Sequence, residues 1–144
     1  MGIRSRTGLF ISALWWGSLT AVGGLAVPLL FASLPSTQVA GPVAARLFAA
    51  ENTLAMGCGV ALVLLFKGQA AGTQASSRAR GHVFIAILGV LLALLIQFGV
   101  APRIVARQHL ALWHTLGTAF FVVQWFCAGA LLWRLATPTP GAQP

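Results

Sequence analysis

Acidic side chains are almost missing from this chain. Its 144 residues include one, Glu51, against nine Lys and Arg. With one Glu and no Asp, a Ser-His-Asp triad or a second carboxylate for acid–base pairing is excluded. Charge of either sign is also scarce. Charged residues make up 7%, where soluble domains carry about 25%, so the chain cannot cover a water-facing surface. Cysteine is limited to Cys58 and Cys127, in no metal-binding spacing, and buried Cys commonly acts as a small apolar residue. No P-loop or dinucleotide fingerprint occurs, since the glycines fall in apolar runs. The net charge of +8 comes from basic residues scattered singly at the ends of apolar stretches. Nucleic acid wants them clustered on one face, so no nucleic-acid partner is expected.

What is abundant is apolar sequence: 58% hydrophobic residues and a mean hydropathy of +0.89. The fold class expected is all-α, an integral membrane antiparallel four-helix bundle in a single domain, its direct partner the lipid bilayer. Spans are placed at residues 9–31, 44–66, 82–101 and 110–135, with a disordered tail at 136–144. The first apolar run follows Arg4 and Arg6 as a signal peptide would. It is about twice the length of a signal h-region, so a retained span is expected. Pro28 should bend or end that helix, and Pro102 should stop the third. The stretch Ser33 to Pro42 reads as turn chemistry, Lys67 to Gly81 as a flexible loop, and Arg103 to His109 as a short one. Gly17, Ala21 and Gly24 follow small-xxx-small spacing, which permits close helix packing. Two helical hairpins of similar size are visible, without a long sequence repeat.

Arg4, Arg6, Lys67, Arg78, Arg80 and Arg134 fall on one side of these spans, and Arg46, Arg103 and Arg107 on the other. The positive-inside rule then places both termini in the cytoplasm of a bacterial inner membrane. Trp113 and Trp133 fit an interfacial aromatic belt, whereas Trp15, Trp16 and Trp125 lie deeper and should pack. On this orientation Glu51, Asn52, Gln97, Arg103 and His114 approach one outer level, with Arg46 nearby. An ionisable residue within a span is costly unless paired, wetted or neutral. One reading is an outward-facing pocket in which Glu51 and His114 exchange or share a proton. The other is a salt bridge from Glu51 to Arg103 or Arg46 that fixes helix register.

Haem or metal is not expected, and no cofactor is assigned. His82 and His114 lie at opposite ends of the bundle, so one metal cannot bridge them. His109 and His114 are separated by about 140° round a helix. Cys58 and Cys127, with Met56 a turn from the former, sit at similar depth and would suit copper(I) by softness, but their spacing matches no motif.

LWWGSLTAVGGLAVPLLF (Leu14 to Phe31), AGPVAARLF (Ala40 to Phe48), GVAPRI (Gly99 to Ile104) and LWHTLG (Leu112 to Gly117) together resemble the transmembrane protein 205-like family, in bacteria a domain of unknown function. The resemblance implies a four-span membrane protein with Pro28, Arg46, Phe48, Pro102, Arg103 and His114 as recurring positions, and no established activity. The basic residue that often precedes the family's His is replaced here by Trp113. Two functional readings follow. The first is a non-enzymatic protein that assists transport or binds a small apolar or cationic ligand in its polar pocket. The second is an accessory subunit that packs against a membrane partner or a further copy of itself, through Ala93 and the Gly17, Ala21 and Gly24 face.

Overall fold

In the computed structural model, which describes residues 2–71 and 77–137, four helices are long and apolar enough to cross a membrane. They are α1 (Ile3–Ser33), α2 (Thr37–Ala70), α3 (Ser77–Val105) and α4 (Leu110–Ala136). No strand occurs among the described residues. The chain is therefore an all-α bundle of four membrane-length helices. Successive helices run antiparallel, and α1 and α3 each pack against both α2 and α4.

Large side chains face outward and small ones inward. Phe10, Leu64, Phe84, Phe98 and Phe126 are exposed, whereas Ala55, Ala86, Ala93 and Ala128 are buried. This is the distribution a lipid solvent selects, because apolar surface gains nothing by leaving lipid and close backbone packing must hold the helices. Leu19, Leu62 and Leu131 are also fully buried, and the largest side chain among the fully buried is Trp15, at the centre. Its ring fills the space where a side chain on Gly89 of α3 would stand and lies beside Gly59 of α2, whose own Cβ site is taken by Val90 of α3. One aromatic side chain thus locks three helices, bridging the α1–α3 diagonal. Smaller couplings of the same kind flank it. A Cβ on Gly8 would meet the Phe66 ring at 2.7 Å, and one on Gly23 would meet Phe121 at 2.6 Å. Trp16 and Trp125 pack at 5.5 Å between ring centroids, as their depth led us to expect.

Neither Pro28 nor Pro102 ends its helix. Each is preceded by a π-helical turn, Val22–Ala26 in α1 and Leu95–Val100 in α3. The turns are closed by wide bonds from Val27 N–H to the Val22 carbonyl and from Ala101 N–H to the Ile96 carbonyl. Proline has no N–H to donate, and its ring crowds the carbonyl four residues earlier. Those carbonyls belong to Gly24 and Phe98, both inside the widened turns, so the helix continues at the cost of one irregular turn. The two hairpins therefore repeat a structural device that their sequences do not advertise.

The helices also outrun the expected spans. α2 begins at Thr37 and carries Pro42 inside it, so most of the expected Ser33 to Pro42 turn is helical. The chain reverses instead over Leu34, Pro35 and Ser36, whose Leu34 and Ser36 backbones are extended. α2 persists to Ala70 and α3 starts at Ser77. The expected loop at 67–81 is thus largely helix, and residues 72–76 within it lie outside the described residues, as do residues 138–144 of the expected tail. Arg107 and His109 adopt positive φ, 54° and 38°, and this left-handed backbone turns α3 into α4.

The Gly17, Ala21 and Gly24 face does not pack within the chain. All three residues are exposed, and a Cβ on either glycine would meet nothing within 4 Å. Ala93, expected on an outer packing face, is instead fully buried.

Candidate functional site: a buried polar layer around Glu51

Glu51 lies on the inward face of α2, 4% exposed, beside buried Asn52. Its neighbour is neither an arginine nor a histidine. Ser18 of α1 donates from Oγ to Glu51 Oε1 at 3.0 Å, and the second carboxylate oxygen, Oε2, is buried without a partner. Ser18 Oγ is also 2.9 Å from the Trp15 carbonyl. A hydroxyl has a single hydrogen to donate, so Ser18 serves one of these acceptors at a time.

Trp15 sets the level of the remaining groups. From Gly59 to Glu51 and from Gly89 to Gln97 the two helices each advance about 12 Å outward at 1.5 Å per residue. Glu51 and Gln97 therefore stand at one depth, outward of the Trp15 ring. Gln97 is part-buried, and its Oε1 is enclosed without a partner. Gln124 reaches the same region from α4. Its sequence neighbour Trp125 donates from Nε1 to Thr20 Oγ1 at 2.8 Å, and Phe121 packs on Gly23, which brackets Gln124 between those two levels of α1. Gln124 is fully buried, with Oε1 and Nε2 both unpartnered. Every helix thus contributes a polar side chain here: Ser18, Glu51 with Asn52, Gln97 and Gln124.

The layer has a floor and a roof. Trp15 closes one side. On the other Phe48 and Phe121 meet edge to face, their centroids 5.4 Å apart. The π turn at Leu95–Val100 holds Gln97 and so falls within the layer, whereas the Val22–Ala26 turn lies at the level of the roof, where Phe121 packs on Gly23. Such turns recur at functional sites because they displace backbone groups from the regular ladder.

The cationic residues expected to join Glu51 stand elsewhere. Arg103 is exposed, donates to the Gly99 carbonyl at 2.5 Å and lies over the Trp113 ring, 4.5 Å from its centroid. Arg46 and His114 are also exposed. The expected salt bridge from Glu51 to Arg103 or Arg46 does not form: the guanidinium groups take up interfacial positions, where water and lipid headgroups solvate them more cheaply than a bundle interior does. Sequence reasoning missed Ser18 and Gln124. The signal for Gln124 was present, a lone carboxamide inside the apolar run FFVVQWFCAG, since polar residues within spans turn inward. Ser18 carries a weaker signal, because serine is common in membrane helices and often bonds its own backbone.

At the inner end, His82 is buried, packs on Phe66 at 5.3 Å between ring centroids and leaves Nε2 unpartnered. Among the described residues, no cluster of three or more His, Cys, Asp or Glu forms a metal site. Cys58 and Cys127 are free and buried.

No curated protein and no solved structure matches this chain. A family model does, over residues 10–112: DUF4149, a domain of unknown function. The match bears out the expected domain of unknown function and does not connect the chain to the transmembrane protein 205-like proteins its motifs resemble. It takes in α1, α2 and α3, and with them Ser18, Glu51, Asn52 and Gln97. The chain belongs to the DUF4149 family.

Proposed function

We propose that this small membrane protein binds a polar ligand in the layer around Glu51 and thereby assists transport across the membrane, without catalysing a reaction. One observation carries the reading. The only acidic side chain of the molecule is buried among helices, held by one hydroxyl, with its second oxygen unpartnered. Polar groups left unsatisfied in a low-dielectric interior are costly, and in a membrane protein they mark ligand and ion sites by default. The layer is built from side chains of all four helices, so the site opens by small shifts between the two hairpins. The protein resides in a bacterial inner membrane with both termini in the cytoplasm, and it needs no nucleic acid or cofactor.

Carbodiimide labelling tests this. Dicyclohexylcarbodiimide enters membranes and modifies carboxyl groups in apolar surroundings, and Glu51 is the only side chain it can take here. A working site is visited from outside, so an adduct on Glu51 is expected by peptide mass spectrometry. A Glu51 that stays unmodified in native membranes while the denatured chain reacts would mark a sealed structural contact and sink the reading.

The second reading, an accessory subunit that packs against a partner or a second copy, is favoured by the open Gly17, Ala21 and Gly24 face. Cross-linking of single cysteines placed at Gly17 or Gly24, in a chain with Cys58 and Cys127 replaced, separates the two. Stoichiometric cross-linked species support the subunit reading.

A further inference from the structure

Resting on the ligand-binding reading above, we infer that the ligand of the Glu51 layer is a small, hard, monovalent cation of the Na+ or Li+ kind, held without its water shell. Three features of the layer select it.

The acceptors offered are oxygens. Glu51 Oε2, Gln97 Oε1 and Gln124 Oε1 are each buried and unpartnered, and Ser18 Oγ stands beside the carboxylate. Carboxylate, carbonyl and hydroxyl oxygens suit hard cations, whereas soft metals want sulfur or imidazole. Cys58 and Cys127 are single free thiols, and among the described residues no cluster of three or more His, Cys, Asp or Glu forms. His82 is at the other end of the bundle.

The charge selects one positive unit. Among the described residues no cation pairs with Glu51, whose hydrogen-bond partner is Ser18. A monovalent ion leaves the layer neutral, while a divalent one leaves a net positive charge in a low-dielectric interior, an expensive state.

The packing selects a small ion. Glu51 is 4% and Gln124 0% exposed, and the Trp15 floor and the Phe48–Phe121 roof confine the layer from both sides. A bare small cation fits among side-chain oxygens where a hydrated or organic one does not. The π turn at Leu95–Val100 carries Gln97 and adds backbone groups at this height, and Pro102 withholds the N–H that would otherwise occupy its Phe98 carbonyl. Displaced backbone carbonyls beside side-chain oxygens are a recurrent way of holding Na+ inside a membrane. Cation loading is also consistent with the Ser18 geometry. With a cation on Oε2, the Ser18 hydroxyl donates to Oε1; without one, it is free to turn to the Trp15 carbonyl.

The test uses the full chain purified in detergent. Dicyclohexylcarbodiimide modification of Glu51 is timed in NaCl, LiCl, KCl and choline chloride at one pH and one ionic strength. Na+ and Li+ are expected to slow it by about tenfold at ten times their Kd, as simple occupancy requires, and K+ and choline to leave it unchanged. The thermal midpoint should rise in the same two salts. Gln97→Leu and Gln124→Leu keep the carboxylate reactive but should lose the protection. Equal rates in all four salts overturn the cation assignment and leave an accessible polar site standing. Full Na+ protection in the Gln97→Leu/Gln124→Leu double variant overturns the ligand set. No adduct on Glu51 in any salt removes the ligand-binding reading itself. Acceleration by acid with no difference among the four salts identifies the proton as the only cation taken up, which also overturns the assignment.

Discussion

The Trp15 ring of α1 occupies the volume that a methyl group on Gly89 of α3 would need. The ring has no exposed edge, and a Cβ on Gly59 of α2 would lie 3.6 Å from it, in ordinary van der Waals contact. The Trp15–Gly89 contact joins two helices on a diagonal of the bundle and sets the floor of the polar layer.

Gly89→Ala should therefore act as overpacking at the centre of the molecule. A loss of about 1–3 kcal/mol is expected, read as a lower unfolding midpoint by circular dichroism in detergent. Trp15→Ala removes the ring and should cost about 3–5 kcal/mol. The double variant Trp15→Phe/Gly89→Ala should recover part of the loss of Gly89→Ala, since residues in contact are non-additive. Strict additivity would mean the two residues do not share space.

Ser18→Ala deletes the hydrogen bond to Glu51 Oε1 and, with Oε2 already unpartnered, leaves both carboxylate oxygens without a donor. The expected cost is about 1–3 kcal/mol, measured by the same unfolding midpoint. Ser18→Thr retains the hydroxyl and should restore most of it. An alanine variant as stable as the parent would show that Glu51 finds another donor.

Arg103→Ala distinguishes the pocket expected from sequence from the layer seen here. Arg103 is engaged with Trp113 and the Gly99 carbonyl at the surface, so its loss should cost about 0.5–1 kcal/mol, the range of an exposed cation–π contact. The rate of carbodiimide modification at Glu51 should not change. A large change in that rate would draw Arg103 back into the site.

Topology is checked with single cysteines in a background lacking Cys58 and Cys127. A cysteine at Arg107 should react with a membrane-impermeant maleimide added to intact cells. One at Lys67 should react only after the membrane is opened, because Lys67 lies in the last turn of α2, at the end of the bundle richer in Lys and Arg. The opposite pattern would invert the orientation.

The four spans were legible because a membrane imposes them through hydropathy alone, and Glu51 was legible because an acid in a span is conspicuous. Its partner was not. Helical rise fixes the depth of a residue, and it sets Glu51 and Gln97 at similar levels. It does not fix which way a side chain turns round the axis. Arg103 and His114 are exposed, while Glu51 and Gln124 are buried. His114 is also ten residues, about 15 Å, along α4 from Gln124, so the level expected for it from sequence does not hold. The π turns were illegible for a related reason. One such turn rotates the rest of the helix by an irregular step, so an even periodicity carried past Val22 or Leu95 assigns later residues to the wrong face. Pro28 was read as a bend or an end and Pro102 as a stop because the widening that accommodates them leaves no signature in composition.

One step in sequence carries Pro28 to Pro102, the first π turn to the second, and Trp15 to Gly89. The hairpins are thus two versions of one unit that have become lock and key at their shared centre. Two units of the first kind would drive one indole into another, and two of the second would leave a hollow. Neither half can stand in for the other, so shape at the shared centre helps specify the pairing of the hairpins, in the one place where lipid offers no help in choosing.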